Sequence, residues 1–194
     1  EGFENFIELS KEHKHGWGIS ASSAETRSTT LVRDLTLAAE SEKFNESANG
    51  LKSDGALLHL RLASRGITVD LSNNHPFVHG EFSFMHNGTI RPGDTAEQFI
   101  ADKYKSLIQG TTDSERYFYA LLSMVDELGL VEGVRKTVNL IRAIADYSSL
   151  NIMVQTPEAL IAVCEFNENN QSEWSGPDHY ELRFTVRDGE FLIA

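Results

Sequence analysis

Nine residues, Phe82-Ser83-Phe84-Met85-His86-Asn87-Gly88-Thr89-Ile90, constrain the fold more than any other stretch of the chain. The alternating apolar run reads as a buried strand. It rises into His86-Asn87-Gly88, where a side-chain amide and a bare backbone N–H are presented together. Two readings are open: Asn-Gly is the commonest two-residue hairpin turn, and the same pair of donors is how an anion-stabilising corner is built. The rest of the chain bears on the choice.

The 194 residues suit a single domain over 1–194, and 40% hydrophobic content suffices for a real core. With 17 Lys plus Arg against 29 Asp plus Glu, the net charge of -12 argues against nucleic acid as a partner. Cys164 is the sole cysteine, which excludes an intramolecular disulfide. No apolar run approaches the roughly 20 residues of a membrane span, and no signal peptide is evident. A soluble, cytoplasmic protein is the expectation.

Helical spacing of Phe3, Phe6 and Ile7 predicts a short helix over 3–13, and His15-Gly16-Trp17-Gly18-Ile19 reads as a tight turn into a strand. Residues 25–32 form its hairpin return, and a weak helix runs from Asp34 to Ala48. Gly55–Ala63 is a strand that places His59 and Arg61 on one face. After the loop through Asn73-Asn74-His75-Pro76-Phe77 and the strand above, helical periodicity runs from Ala96 to Ile108. Thr111-Thr112-Asp113-Ser114 resembles an N-cap, for a helix whose stripe is Tyr117, Leu121, Met124, Val125 and Leu128. Gly129 breaks it, and a second helix over Val131–Tyr147 turns Val134, Val138, Ile141 and Ala145 inward. Strands at Leu150–Gln155, Ala159–Phe166, Tyr180–Val186 and Glu190–Ile193 follow, with a polar loop over Asn167–Asp178. The order strands, helices, strands predicts a layered α+β domain.

Arg61 stands at the end of a buried strand, where a guanidinium must find a partner; its planar fork suits a carboxylate. A salt bridge within this acidic chain is the plainer alternative. Asp113 either caps its helix, a contribution of about 1 kcal/mol, or faces a ligand ammonium group. Together Arg61 and Asp113 would hold the two charged ends of an α-amino acid, and Asn87 with Gly88 would stabilise the oxyanion of acyl transfer. His13, His15, His75, His79 and His86 are spread over three loops without a telling carboxylate pair, so no metal and no cofactor is assigned. Cys164 lies in an apolar strand, where a buried structural thiol is expected.

The order His15-Gly16-Trp17-Gly18-Ile19, His59-Leu60-Arg61-Leu62-Ala63-Ser64, Asn74-His75-Pro76-Phe77, His86-Asn87-Gly88 and Thr112-Asp113-Ser114-Glu115 resembles the class II glutamine amidotransferase domain of the N-terminal-nucleophile hydrolases, in its small stand-alone bacterial type. The resemblance covers roughly Lys14 to Leu122 directly. It implies a four-layer αββα sandwich of two antiparallel sheets between helical layers. It also implies that Arg61 binds the glutamine carboxylate, Asp113 its amino group and Ser64 the region of the α-carbon. By the same likeness His86 belongs to the substrate site, and Asn87 with Gly88 forms the oxyanion hole. The implied partner is glutamine or a γ-glutamyl small molecule, with a homodimer left open.

Two departures stand out. The family's nucleophile is an N-terminal cysteine, which Glu1 does not supply, so a strand carrying it is expected upstream and some residues are expected beyond Ala194; loss of the nucleophile, leaving a glutamine-binding domain, is the alternative. A metal-dependent hydrolase is a third reading. His15 stands where many relatives carry aspartate, which leaves the bonding of its turn open.

Overall fold

A computed structural model describes residues 2–64, 66–170, 178–187 and 189–194. In chain order the elements are α1 (Gly2–Glu8), β1 (Trp17–Ser23), β2 (Ser28–Asp34), α2 (Glu42–Asn49), β3 (Gly55–Leu60), β4 (Phe77–His79), β5 (Phe82–Asn87) and β6 (Ile90–Arg91). They continue with α3 (Asp102–Lys105), α4 (Asp113–Leu128), α5 (Leu130–Ile144), β7 (Asp146–Tyr147), β8 (Asn151–Gln155), β9 (Leu160–Val163), β10 (Phe184–Arg187) and β11 (Glu190–Ile193).

Two antiparallel sheets dominate, one ordered β2-β1-β3 and the other β4-β5-β8-β9. Because side chains alternate across a strand, each sheet buries two different faces. On β1 and β3, Trp17, Ile19 and Leu60 pack with Ala38 and Phe44 against the helical segments that carry Phe6 and Ile7. On β5 and β8, Phe84, Ile152 and Val154 pack against α4 and α5 through Tyr117, Phe118, Leu121, Val138 and Ile141. Phe84 stacks on Phe118 at 5.3 Å between ring centroids and meets Tyr117 edge-on at 5.4 Å. Each such ring contributes roughly 1.5–3 kcal/mol by leaving water.

The opposite faces of the two sheets meet each other. A Cβ on Gly55 of β3 would lie 2.7 Å from Nε2 of Gln155 on β8, so glycine there permits the sheets' close approach. The order is therefore helix, sheet, sheet, helix, the four-layer sandwich implied by the resemblance.

Several elements are shorter than their sequence patterns predict. The segment 34–48 resolves into a 3-10 turn at Ala38–Glu40 followed by α2, whose N-cap is Ser41, accepting from Phe44 N at 3.1 Å. Ala96–Ile108 is a 3-10 segment, Thr95–Phe99, then the single turn α3. The second long helix stops at Ile144, because Asp146–Tyr147 pairs with Ile90–Arg91 as a two-strand ladder. Strand β9 ends at Val163, and Cys164 is exposed, not buried, with its Sγ 3.4 Å from Tyr180 O. Among the described residues hairpin β10–β11 pairs only with itself, and Phe184, Val186, Phe191 and Leu192 are exposed. Part of the expected polar loop, 171–177, and the turn residue Asp188 lie outside the described residues. Among the described residues no helix is long and apolar enough to cross a membrane.

Candidate active site

A cavity of about 1180 Å³ opens where β3 and β5 end, and Arg61, Ser64, His86, Asn87, Gly88 and Asp113 all line it. Residues separated by more than 50 positions thus share one wall.

The ladder decides what the Asn-Gly pair is. Strand β5 pairs with β4 and β8, whereas β6, immediately after Gly88, pairs with β7. Chain direction therefore does not reverse at Asn87-Gly88, and the pair is not a two-residue hairpin. Gly88 has φ +157°, and a Cβ there would lie 2.1 Å from Ser149 O and 2.8 Å from His86 Nε2. Only glycine lets the backbone pass this close. The Asn87 side chain is exposed to the cavity.

His86 holds the corner from behind. It is buried, with Nδ1 2.9 Å from Ser114 Oγ and Nε2 3.0 Å from Ser149 O. A carbonyl can only accept, so Nε2 carries the proton, and Nδ1 shares the Ser114 hydroxyl proton with Asp113 Oδ1, 3.3 Å from that hydroxyl. Burial lowers the pKa of His86, with nearby Asp113 opposing. Both nitrogens are engaged by protein groups, so the ring ties the corner to the start of α4.

Arg61 lies just beyond β3 and is buried. Its backbone N donates to Gly16 O at 2.8 Å, and its Nη2 donates to Thr68 O at 3.2 Å. Nη1 is buried without a partner, and among the described residues no carboxylate lies within ion-pair distance. Burial lowers its pKa, partly offset by Asp70. His15 settles the neighbouring turn, because its Nδ1 accepts from Ala63 N at 2.9 Å. An imidazole nitrogen thus supplies an acceptor where an aspartate oxygen would.

Asp113 is the first residue of α4, and the cap is Thr112, whose hydroxyl accepts from Glu115 N at 3.2 Å. Asp113 Oδ2 accepts from Ile90 N at 2.6 Å, and Oδ1 from Ser114 N at 2.9 Å. Ser114 Oγ lies a further 3.3 Å from Oδ1; a carboxylate offers about four acceptor positions, so capacity remains for another donor.

Two positioning residues escaped the sequence reading. Asn73 is buried and donates to Thr68 O, the carbonyl that also receives Arg61, while its Oδ1 accepts from Thr111 N at 2.7 Å. It therefore spaces the Arg61 side of the cavity from the start of α4. Glu115, also buried, accepts from Gln109 N and Gly110 N at 2.9 and 2.7 Å. Asn73 falls in a polar loop and Glu115 in a first helical turn, where exposure is the usual expectation, so local pattern did not announce the burial of either.

The histidines do not gather as ligands: among the described residues no group of three His, Cys, Asp or Glu side chains is arranged to hold a metal. His59 and His75 instead meet as tilted rings, 4.5 Å between centroids and 41° between planes. Burial pushes His59 down to about 3 and His75 well below its ordinary value, with neighbouring cationic groups adding to both effects. The unfolded chain binds a proton near pH 6.5, so stability is full above that pH and falls as pH drops towards 3. For His59 alone the loss at pH 5 is about 2 kcal/mol. Urea midpoints at pH 7.5 and 5.0 measure it, and His59→Asn should flatten the profile. An unchanged wild-type midpoint over that interval contradicts a neutral His59–His75 pair.

Comparison with known proteins bears on this geometry. The sequence pattern described as "Glutamine amidotransferases class-II" matches residues 1–188. The chain belongs to the class II glutamine amidotransferases. The probable glutamine amidotransferase DUG3 of Saccharomyces cerevisiae is 34% identical over 103 residues, 51% of this chain and 29% of the yeast protein. The chain thus spans less than a third of that relative's length. Among solved structures, a glutamine aminotransferase class-II domain protein from Silicibacter pomeroyi matches with a TM-score of 0.59 at 24% identity, over 76% of this chain and 68% of that one. The glutamine phosphoribosylpyrophosphate amidotransferase of B. subtilis matches with a TM-score of 0.58 at 18% identity, over 81% of this chain and 33% of its own. At these identities the two structures establish the shared fold, the amidotransferase sandwich. The only cysteine in these 194 residues, Cys164, does not line the cavity.

Proposed function

We propose that the protein cleaves the γ-amide of glutamine or of a γ-glutamyl compound through a cysteinyl thioester. One observation carries this reading: an unpartnered guanidinium nitrogen, a carboxylate with acceptor capacity and a corner of two hydrogen-bond donors line the same cavity. Arg61 grips the substrate α-carboxylate, and Asp113 receives its α-ammonium group. Ser64 lies along the α-carbon. This leaves the γ-carbonyl at the Asn87 carboxamide and Gly88 N–H.

A cysteine thiolate from outside these 194 residues attacks the carbonyl carbon of the γ-carboxamide, and the carbonyl π pair moves onto oxygen, where the two donors stabilise it. Collapse expels ammonia or an amine, which carries off the proton the thiol gave up on ionising, and forms the thioester. Water then adds to the same carbon, the C–S bond breaks as a proton from the water returns to sulfur, and glutamate departs. His86 acts as a positioning residue, since its ring fixes the corner against Ser149 and Ser114.

The position of Cys164 away from the cavity favours one rival, a domain that binds glutamine without turning it over. Full-length protein with its native N-terminus distinguishes them. The enzyme releases ammonia from glutamine and is labelled at a cysteine by a γ-electrophilic glutamine analogue. Saturable glutamine binding without either result establishes the binding domain, and absence of binding removes both.

A further inference from the structure

The layer between the two sheets carries buried polar side chains beside Leu57, Met85 and Met153, which is unusual for the centre of a sandwich. Directly opposed residues of a ladder share a face, so Gly18 with His59, Ser20 with Leu57 and Ser22 with Gly55 lie together on the β1–β3 side. Ser83 with Gln155 and Met85 with Met153 lie together on the β5–β8 side. Gln155 reaches Gly55 across the gap, and Gly18 abuts the carbonyl of His75. These contacts set the two polar faces against each other.

Eight buried side-chain polar atoms of the described residues have no protein partner, and six belong to this layer: Ser20 Oγ, Ser83 Oγ, Gln155 Oε1, His59 Nδ1 and both ring nitrogens of His75. The other two are Arg61 Nη1 and Asn74 Oδ1. Ser20 and Ser83 are fully buried, and Gln155 is 2% exposed. Buried polar atoms are almost always bonded to protein or to ordered water. They run in a row along the layer, from Ser83 and Gln155 beside Gly55 to His59 and His75 beside Gly18, and a row holding both donors and acceptors meets the requirement for a file of waters rather than for an apolar ligand. His59, His75, Met85 and Met153 also line the cavity, so one end of the layer opens onto it.

We propose that the inter-sheet layer is a buried hydration site, in which ordered water bridges Ser20, Ser83 and Gln155 to the His59–His75 pair and joins the cavity from behind its floor. The site satisfies both neutral imidazoles without charging them. It gives the cavity a store of water separate from its mouth. None of this depends on the reaction proposed above, and the test needs no turnover.

The sign of two conservative substitutions separates a wet layer from a dry one. Where a hydroxyl binds water, alanine strips that water of a partner and stability falls; where a hydroxyl is buried with no partner, alanine removes a desolvation penalty and stability rises. Ser20→Ala and Ser83→Ala in the full-length protein are each expected to lower Tm by about 2–4 °C. A high-resolution crystal structure of the parent protein is expected to place water within hydrogen-bond distance of both hydroxyls. Unchanged or higher Tm in both variants, or hydroxyls bonded to main chain with no water between the sheets, overturns the proposal.

Discussion

Arg61→Met is expected to lower glutamine affinity by roughly 10²- to 10³-fold while the unliganded protein unfolds no earlier than its parent. The first part follows from chemistry: losing one partner of a desolvated, hydrogen-bonded charge pair costs about 2–5 kcal/mol. The second follows from what Arg61 lacks. Its Nη1 is buried without a partner, and Nη2 reaches only the Thr68 carbonyl. An uncompensated buried charge is a stability cost, and an apolar side chain of similar length relieves it. A site that sacrifices stability to await a charged ligand shows this trade. If Arg61 served the fold through a salt bridge, the variant would show the reverse, a lower Tm with binding intact. Calorimetric titration with glutamine and a thermal melt, made on the same preparation, decide between them. Binding retained within threefold removes Arg61 from the role of carboxylate anchor. Wild-type protein should also melt higher with glutamine present, because a ligand that binds only the folded state stabilises it.

Much of this site could be read from local pattern, for a physical reason. Arg61 and Asn87 stand at the ends of buried strands, where the change from apolar to polar residues marks the point at which a side chain meets a cavity. Thr112 and Asp113 stand at a helix start, which Ser, Thr and Asp announce through capping. The pattern placed the cap but did not separate Thr112, which makes it, from Asp113, whose carboxylate turns to Ile90 N. Such a division depends on what packs against the helix end, here strand β6.

What stayed hidden was set by tertiary burial of polar residues. Asn73 and Glu115 bond to backbone groups of other segments and could be found only once those segments were in place. Gly18, Ser20 and Ser22 alternate with Trp17, Ile19 and Ala21 along β1, so one face of the strand is small and polar. In the sandwich that face is covered by a second sheet. Cys164 was misplaced because apolar continuity suggested a longer strand, whereas β9 ends one residue before it. Alternation reveals that a strand has two unlike faces; it does not reveal whether the polar one meets solvent.

Gly88→Ala is expected to abolish most turnover in the full-length enzyme, lowering kcat by at least about 10²-fold with little change in KM. The expected loss is at least that of one oxyanion donor, which costs roughly 10²–10³ in rate. The new methyl would lie 2.1 Å from Ser149 O, so either the corner or the Ser149 segment must move. Movement of the corner misaims the Gly88 N–H and the neighbouring Asn87 carboxamide together, whereas Asn87→Ala removes a single donor. Arg61 and Asp113 are held by Thr68, Ile90 and Ser114, so the charged ends of the substrate keep their partners in either variant. The split between kcat and KM is therefore the diagnostic quantity. Loss of both parameters with a lowered Tm would mean that the substitution only damages packing. Near-normal kcat in Gly88→Ala would mean that the corner does not hold the oxyanion, whatever its resemblance to one.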